Sequence, residues 1–229
     1  MTKHIITLLF KEYMDYLSVI FRRILRRDIK KPWMKYREIQ VITEVLTNFK
    51  PKKCLEWGSG YSTLFFPQLL SNNFTWISIE HDKNWFEIIS RLNRNKNVKI
   101  FHVPPNKYPW SDDYKDGSYD DLRDYIEFPT RFGKFDFILI DGRARRECLK
   151  KSYNILIKNG IVILHDANRV YYHDSFKFFK YTLLLKDYRT DAGGIWIGSK
   201  GLKIENVLDV EKWSKYWKII NKFGKILRI

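Results

Sequence analysis

The sequence predicts an α/β fold: a doubly wound, mostly parallel sheet closed by an antiparallel C-terminal hairpin and flanked by N- and C-terminal amphipathic helices. Three observations predict it. Short β-branched runs alternate with segments of helical period from about residue 34 to 199. The first run ends in a glycine turn, Gly58-Ser59-Gly60, and three later runs end in acids, Glu80, Asp141 and Asp166. Strands that alternate with helices specify parallel pairing with right-handed crossovers. Ligands of such sheets gather beyond the carboxyl ends of the strands.

Taken in order, Pro32 precedes a helix over about 34–48, followed by strand 53–57, helix 62–71, strand 75–80, helix 82–93 and strand 97–103. Asp82 is the N-cap of its helix, since a short acidic side chain can accept a free backbone N–H of the first turn. After an irregular segment the pattern resumes with strand 135–141, helix 144–157, strand 160–165, helix 169–180 and strands near 183–189 and 194–199. The turn Asp191-Ala192-Gly193-Gly194 makes the last two strands a hairpin.

At 229 residues with 45% hydrophobic and 17% aromatic content, the chain suits one domain over 32–200 with helical extensions at 1–31 and 201–229. Cys54 and Cys148 have no paired spacing, which points to a reducing, cytoplasmic setting, and the sequon Asn73-Phe74-Thr75 is read as incidental. Lys+Arg 42 against Asp+Glu 26 gives a net charge of +16, unevenly spread. Residues 1–50 hold eleven basic and five acidic side chains, whereas 104–128 hold three and seven. An acidic segment beside the expected pocket disfavours a nucleic acid as partner.

In the first extension Ile5, Leu9, Tyr13, Leu17, Ile20 and Ile24 recur at helical steps and a block of Arg22, Arg23, Arg26 and Arg27 follows. Its apolar runs are too short to span a bilayer. Two readings stand: a helix packed on the domain or on a second copy in a homo-oligomer, or one lying on an anionic membrane surface. Trp213, Trp217, Ile220, Phe223, Ile226 and Leu227 repeat the theme at the other end, interleaved with lysines. Residues 104–131, rich in Pro, Asp and Tyr, are too long for an ordinary connection and read as a substrate lid or a solvated insertion.

The first strand carries Glu56 two positions before the glycine turn. Glycines there let the backbone approach a ligand, and a carboxylate would oppose a pyrophosphate but favour a cation. Glu80, twenty residues after Gly60, can accept ribose hydroxyls from the tip of the next strand. On these residues the chain resembles, over roughly 34–200, the Rossmann-like class I methyltransferases that use S-adenosylmethionine. It is also similar to their subfamily with Asp141-Gly142-Arg143-Ala144-Arg145 after the fourth strand and His165-Asp166 after the fifth.

The resemblance implies transfer of a methyl group to a hydroxyl of a carbohydrate, glycoconjugate or small molecule. Methylation of RNA, or a non-catalytic nucleotide-binding module, are the alternatives. It places Glu56, Gly58, Ser59, Gly60, Ser62, Glu80, His81, Asp141 and Gly142 around the cofactor, and Asp141, His165 and Asp166 at the catalytic centre. Histidine has a suitable ordinary pKa for a general base. Asp141, Asp166 and Asn168 are the candidate ligands for Mg2+, which some related groups use, although Ala167 separates the last two where magnesium-dependent relatives have adjacent ligands. Tyr119, Tyr125, Arg143 and Arg145 are candidate acceptor contacts. Cations at a helix start are locally unfavourable, so Arg143, Arg145 and Arg146 either hold an acidic acceptor or pair with Asp112, Asp113 or Asp120.

Overall fold

The structure is a computed structural model and describes residues 2–24 and 31–227. Seven strands, β1 Lys53–Trp57, β2 Thr75–Glu80, β3 Val98–His102, β4 Phe135–Ile140, β5 Leu156–His165, β6 Tyr181–Leu185 and β7 Ile195–Ser199, form one sheet in the order β3-β2-β1-β4-β5-β7-β6. β1 to β5 pair in parallel, and β7 runs antiparallel between β5 and β6. The chain leaves β1 toward β2 and returns on the other side as β4, so their carboxyl ends diverge into a crevice between the two crossovers. Trp57 lies opposite Ile140 there, and Asp141 N–H donates to the Trp57 carbonyl at 2.9 Å.

Helices cover both faces. On one, α1 Thr2–Ile24, α2 Tyr36–Phe49 and α7 Val210–Leu227 pack over Cys54, Trp76, Phe137 and Ile161. On the other, α5 Arg123–Glu127 and α6 Arg145–Ile155 pack over Leu55, Ile77, Ile138 and Val162. Burying both faces explains why β4 reads Phe-Asp-Phe-Ile-Leu-Ile rather than as a polar alternation. α3 Tyr61–Phe65 and α4 Lys83–Leu92 follow β1 and β2.

Most predicted strands match to within a residue; four other elements differ. The helix expected over 62–71 splits into α3 and a 3-10 turn Phe66–Leu69, because Pro67 cannot supply the next helical N–H. β5 begins at Leu156 rather than near 160, with a register irregularity opposite Phe135. The helix expected over 169–180 is 3-10 throughout Val170–Phe178, and the last connection spans residues 186–194. Residues 104–131 pack in part onto the domain. Leu122, Tyr125 and Ile126 are core residues, and Asp121 Oδ2 accepts from Ser111 and Ser118 through both backbone N–H and hydroxyl, at 2.8–2.9 Å.

The extensions belong to the same core. Trp213, Tyr216, Trp217 and Ile220 of α7 are buried, as are Ile5 and Leu8 of α1, whereas Tyr13 and Leu17 of the expected apolar stripe are exposed. Arg26 and Arg27 lie outside the described residues. Arg37 of α2, wholly buried, bonds Glu12 of α1 through Nη1 and Asp187 beyond β6 through Nη2, and the Tyr216 hydroxyl donates to Glu12 at 2.9 Å. Removing one member of a buried ion pair strands the others without water. Arg37→Ala is expected to cost about 3–5 kcal/mol, measured by urea unfolding, with Asp187→Ala costing the same order.

Candidate active site

Two cavities open at the carboxyl end of the sheet. The first, about 520 Å³, is floored by the turn after β1 and walled by residues following β2 and β4. Gly58 has φ +94°, a left-handed conformation that glycine adopts without penalty. A Cβ on Gly58 would lie 2.4 Å from the Gly142 Cα, so the two turns touch through bare backbone. The Ser59 hydroxyl pairs with Ser78 at 2.9 Å and its carbonyl accepts the Trp85 indole N–H at 2.6 Å, which fixes the turn. Glu80 accepts the backbone N–H groups of His81 and Asp82 through Oε1, both at 2.9 Å. Its Oε2 has no hydrogen bond among the described residues, and Glu80 lines the cavity. An acceptor oxygen left over at the tip of β2 fits a ribose diol.

Glu56 is not in that wall. It faces α3 from beneath, fully buried, accepting Ser62 Oγ–H at 2.5 Å, Trp76 Nε1–H at 2.9 Å and Ser78 Oγ–H at 3.0 Å. Burial pushes its carboxyl up to about 7, although these donors pull the other way. Its role in this geometry is to fix Ser62, which does line the cavity, and so to hold the start of α3. Glu56 lies beneath the turn and α3 rather than in the cavity wall, because β-strand alternation sends residue 56 to one face and Trp57 to the other.

The second cavity, about 490 Å³, lies between α1, α2 and the end of β5, lined by Tyr16, Ile20, Trp33, Lys35, Glu38, His165, Asp166 and Arg189 among others. Trp33 lines both cavities and packs on Trp85 at 5.1 Å between ring centres. The partition between them is ionic. His165 Nδ1 meets Asp141 Oδ1 at 2.7 Å and Nε2 meets Glu38 Oε2 at 3.2 Å. Burial alone would lower the imidazole pKa, but the carboxylates of Asp141, Glu38 and Asp166 outweigh it and hold the ring protonated well above its ordinary range. His165 at neutral pH is therefore an imidazolium rather than the free base expected from its ordinary pKa.

Arg145 supplies the second half of the partition. Its Nη1 donates to the His165 carbonyl at 2.9 Å and to Asp166 Oδ2 at 3.1 Å, and Nη2 lies 3.3 Å from Asp141 Oδ1. Asp166, at φ 56°, also accepts Gly193 N–H at 2.6 Å; burial is outweighed by His165 and Arg145, which hold its carboxyl far below the usual range. A divalent ion does not fit this arrangement. The guanidinium already bridges Asp141 and Asp166, and Asn168 is turned to Asp187, accepting its N–H and donating to its carbonyl, both at 2.9 Å. No cluster of three or more His, Cys, Asp or Glu side chains suited to a metal occurs among the described residues.

Of the other expected contacts, Gly58, Ser59, Gly60, Ser62, Glu80, His81, Asp141, Gly142, Arg143 and Arg145 all line the first cavity. Tyr119 and Tyr125 line neither: Tyr119 is exposed with its hydroxyl 3.4 Å from Glu127, and Tyr125 is buried behind Gly142. Arg146 pairs with Asp174, not with Asp112, Asp113 or Asp120. Sequence reading missed Glu38, Trp33 and Arg189. Glu38 carries one signal, an acid at the third position of a helix, where it caps Lys35 N–H at 2.7 Å. Its reach to His165, 127 residues away, has no local trace.

The raised carboxyl of Glu56 has a sign that can be checked. A folded-state pKa above the unfolded value makes stability fall as pH rises from about 4.5 to about 7. Glu56→Gln keeps the acceptor for Trp76 and Ser78, so it is expected to flatten that fall, gaining about 1–3 kcal/mol at pH 8 relative to the parent. Urea titrations at pH 5 and 8 measure the difference.

No family profile and no curated protein matches the chain. Solved structures do. A methyltransferase-like protein from Silicibacter pomeroyi superposes with a TM-score of 0.55 at 18% identity, over 81% of this chain and 98% of that one. A methyltransferase from Geobacter sulfurreducens gives 0.52 at 14% identity, over 81% and 88%. A Staphylococcus aureus protein assigned as a caffeoyl-CoA O-methyltransferase gives 0.55 at 15%, over 86% and 99%. The chain thus has the Rossmann-like fold of these methyltransferases, its own sheet ending in the antiparallel β6-β7 hairpin beside β5.

Proposed function

We propose that the chain is an S-adenosylmethionine-dependent O-methyltransferase. The donor occupies the glycine-walled cavity, and the acceptor, a hydroxyl of a carbohydrate, glycoconjugate or small molecule, enters the cavity beneath α1. One observation carries this reading: Asp141 lines the first cavity, His165 and Glu38 line the second, and the three are joined in one hydrogen-bonded chain across the partition. Such a chain suits a reaction in which a group crosses from one side while a proton must leave the other. Fold likeness to methyltransferases supports the same reading.

When bound, the cofactor supplies a methyl group on a positively charged sulfur. The protein's part is positioning and proton handling. Gly58, Gly60 and Gly142 let backbone approach the donor, Glu80 Oε2 is free to accept ribose hydroxyls, and Trp33 shapes the passage between the cavities. At neutral pH both N–H groups of the His165 imidazolium are engaged, Nδ1 with Asp141 and Nε2 with Glu38; once the ring loses a proton, Nε2 can take the hydroxyl proton of an acceptor that displaces Glu38, with Asp141 fixing the ring through Nδ1. The acceptors assigned to this reading are those assembled at a cytoplasmic membrane surface, with the enzyme peripheral to it.

Calorimetry with S-adenosylmethionine, S-adenosylhomocysteine and NAD tests the donor. The two sulfur compounds are expected to bind, and Glu80→Ala to weaken them by about 10–100-fold, the worth of hydrogen bonds to a charged acceptor. Binding of NAD alone would end the proposal. Turnover against a panel of glycans, phenols and RNA is expected to yield methylated hydroxyls.

Because the His165 pKa is raised, the rate is expected to keep climbing with pH through the raised pKa rather than level off above about 6.5, the ordinary histidine value. Over the same window the stability this group contributes, complete below that value, is lost. His165→Gln should remove both dependences, and chelator should leave the rate unchanged.

A further inference from the structure

α1 is apolar on two sides. Its inner side is committed: Ile5 and Leu8 are buried, Glu12 bonds Arg37, the Tyr216 hydroxyl donates to the Leu8 carbonyl at 3.3 Å, and Tyr16, Val19 and Ile20 line the second cavity. These contacts fix which face looks outward. That face carries Ile6, Phe10, Tyr13, Met14, Leu17 and Phe21, all exposed, with Ile6, Phe10 and Phe21 at 60–62%. Positions 6, 10, 13, 14, 17 and 21 recur at the three- and four-residue steps of a single helical face. No described element covers it. Scattered apolar residues on a surface need no explanation, but a contiguous stripe of large ones marks an interaction site.

The charge around the stripe chooses the occupant. Both acids of α1 are neutralised, Glu12 by Arg37 and Asp15 by Lys31 Nζ at 2.5 Å. What remains on the helix by sequence is basic, Lys3, Lys11, Arg22 and Arg23, with Arg26 and Arg27 following directly. α7, which packs beside α1 through Tyr216, exposes Lys215 and Lys218. A second copy seated on the stripe by a two-fold axis would bring these like charges together. An anionic lipid surface would offer such basic side chains phosphates and carboxylates. Among the described residues no helix is long and apolar enough to cross a membrane, so this contact lies in the interface plane.

We propose that the outward face of α1, from Ile6 to Phe21, docks the protein on an anionic phospholipid bilayer, with Phe10 and Leu17 among the side chains inserted between headgroups. The docking helix is then also a wall of the cavity assigned to the acceptor, so that cavity is held close to the lipid surface. The docking itself depends only on α1 and its charged rim, and stands or falls apart from the chemistry proposed for the site.

Co-sedimentation of the full chain with phosphatidylcholine vesicles, with and without phosphatidylserine, decides it. Binding is expected with phosphatidylserine present, weakening as salt rises. The variant Phe10→Asp/Leu17→Asp is expected to lose on the order of a hundredfold or more in partitioning, as removal of two inserted apolar side chains implies. Both changed positions are exposed, so near-UV circular dichroism and S-adenosylhomocysteine binding are expected to match the parent. If the parent fails to bind donor yet sediments with anionic vesicles, the catalytic reading falls and the docking stands. Equal sedimentation with neutral vesicles, or none with anionic ones, overturns the docking. So does a dimer in sedimentation velocity that the same double substitution disperses while vesicle binding stays absent.

Discussion

Everything at the carboxyl end of the sheet depends on two adjacent residues of α2 that point to different tasks. Arg37 turns inward and joins α1 to the segment after β6; Glu38 turns toward the crevice and joins α2 to β5 and to the hairpin, through His165 and through Gly194 N–H at 3.1 Å. Taking charges out of water is costly unless each finds a partner. Here each partner comes from a different element, so desolvation can be offset only when all those elements are in place. The N-terminal extension is thereby part of the architecture, not an appendage.

The same electrostatics set the chemistry. A histidine between two carboxylates is a poor base at neutral pH, with both of its N–H groups already held. An arginine bridging Asp141 and Asp166 supplies, as a fixed charge, the positive pole that a bound ion would otherwise bring to that rim. Glu56 shows the converse. Lacking any cation and surrounded by hydroxyl and indole donors, it is held by dipoles alone, and the neutral form gains ground.

What the sequence made legible was local. β1, β2 and β4 could be read almost to the residue because their apolar runs are bounded by charged or glycine positions, and Glu80 could be assigned because a fixed spacing ties a strand tip to the preceding turn. Glu56 was found as part of the signature, but spacing says which strand carries an acid and not which face it takes, and the side chain lies beneath α3. The acidic, tyrosine-rich 104–131 segment reads in the sequence as a substrate lid or a solvated insertion. Two of its aspartates are spent within it, Asp112 accepting from Asp116 and Gly117 N–H at 3.0 and 2.7 Å and Asp121 from Ser111 and Ser118, while Asp116 accepts from Arg145 N–H and the Tyr172 hydroxyl outside it. Trp33 and Glu38 went unseen because their partners Trp85 and His165 lie far away in the chain, and Arg189 because its bond to nearby Asp187 does not reveal its approach to Glu38.

The bare contact between Gly58 and Gly142 has a wider meaning. A methyl group on Gly58 would strike the Gly142 backbone, and one on Gly142 would fall 2.1 Å from the Tyr125 hydroxyl. The two turns come from opposite halves of the doubly wound sheet, so the halves are riveted at a point where neither can thicken. A change at one glycine cannot be rescued by shrinking the other, which already has nothing left to lose. Mutational drift is thus barred at both positions together, independently of whatever molecule the crevice receives.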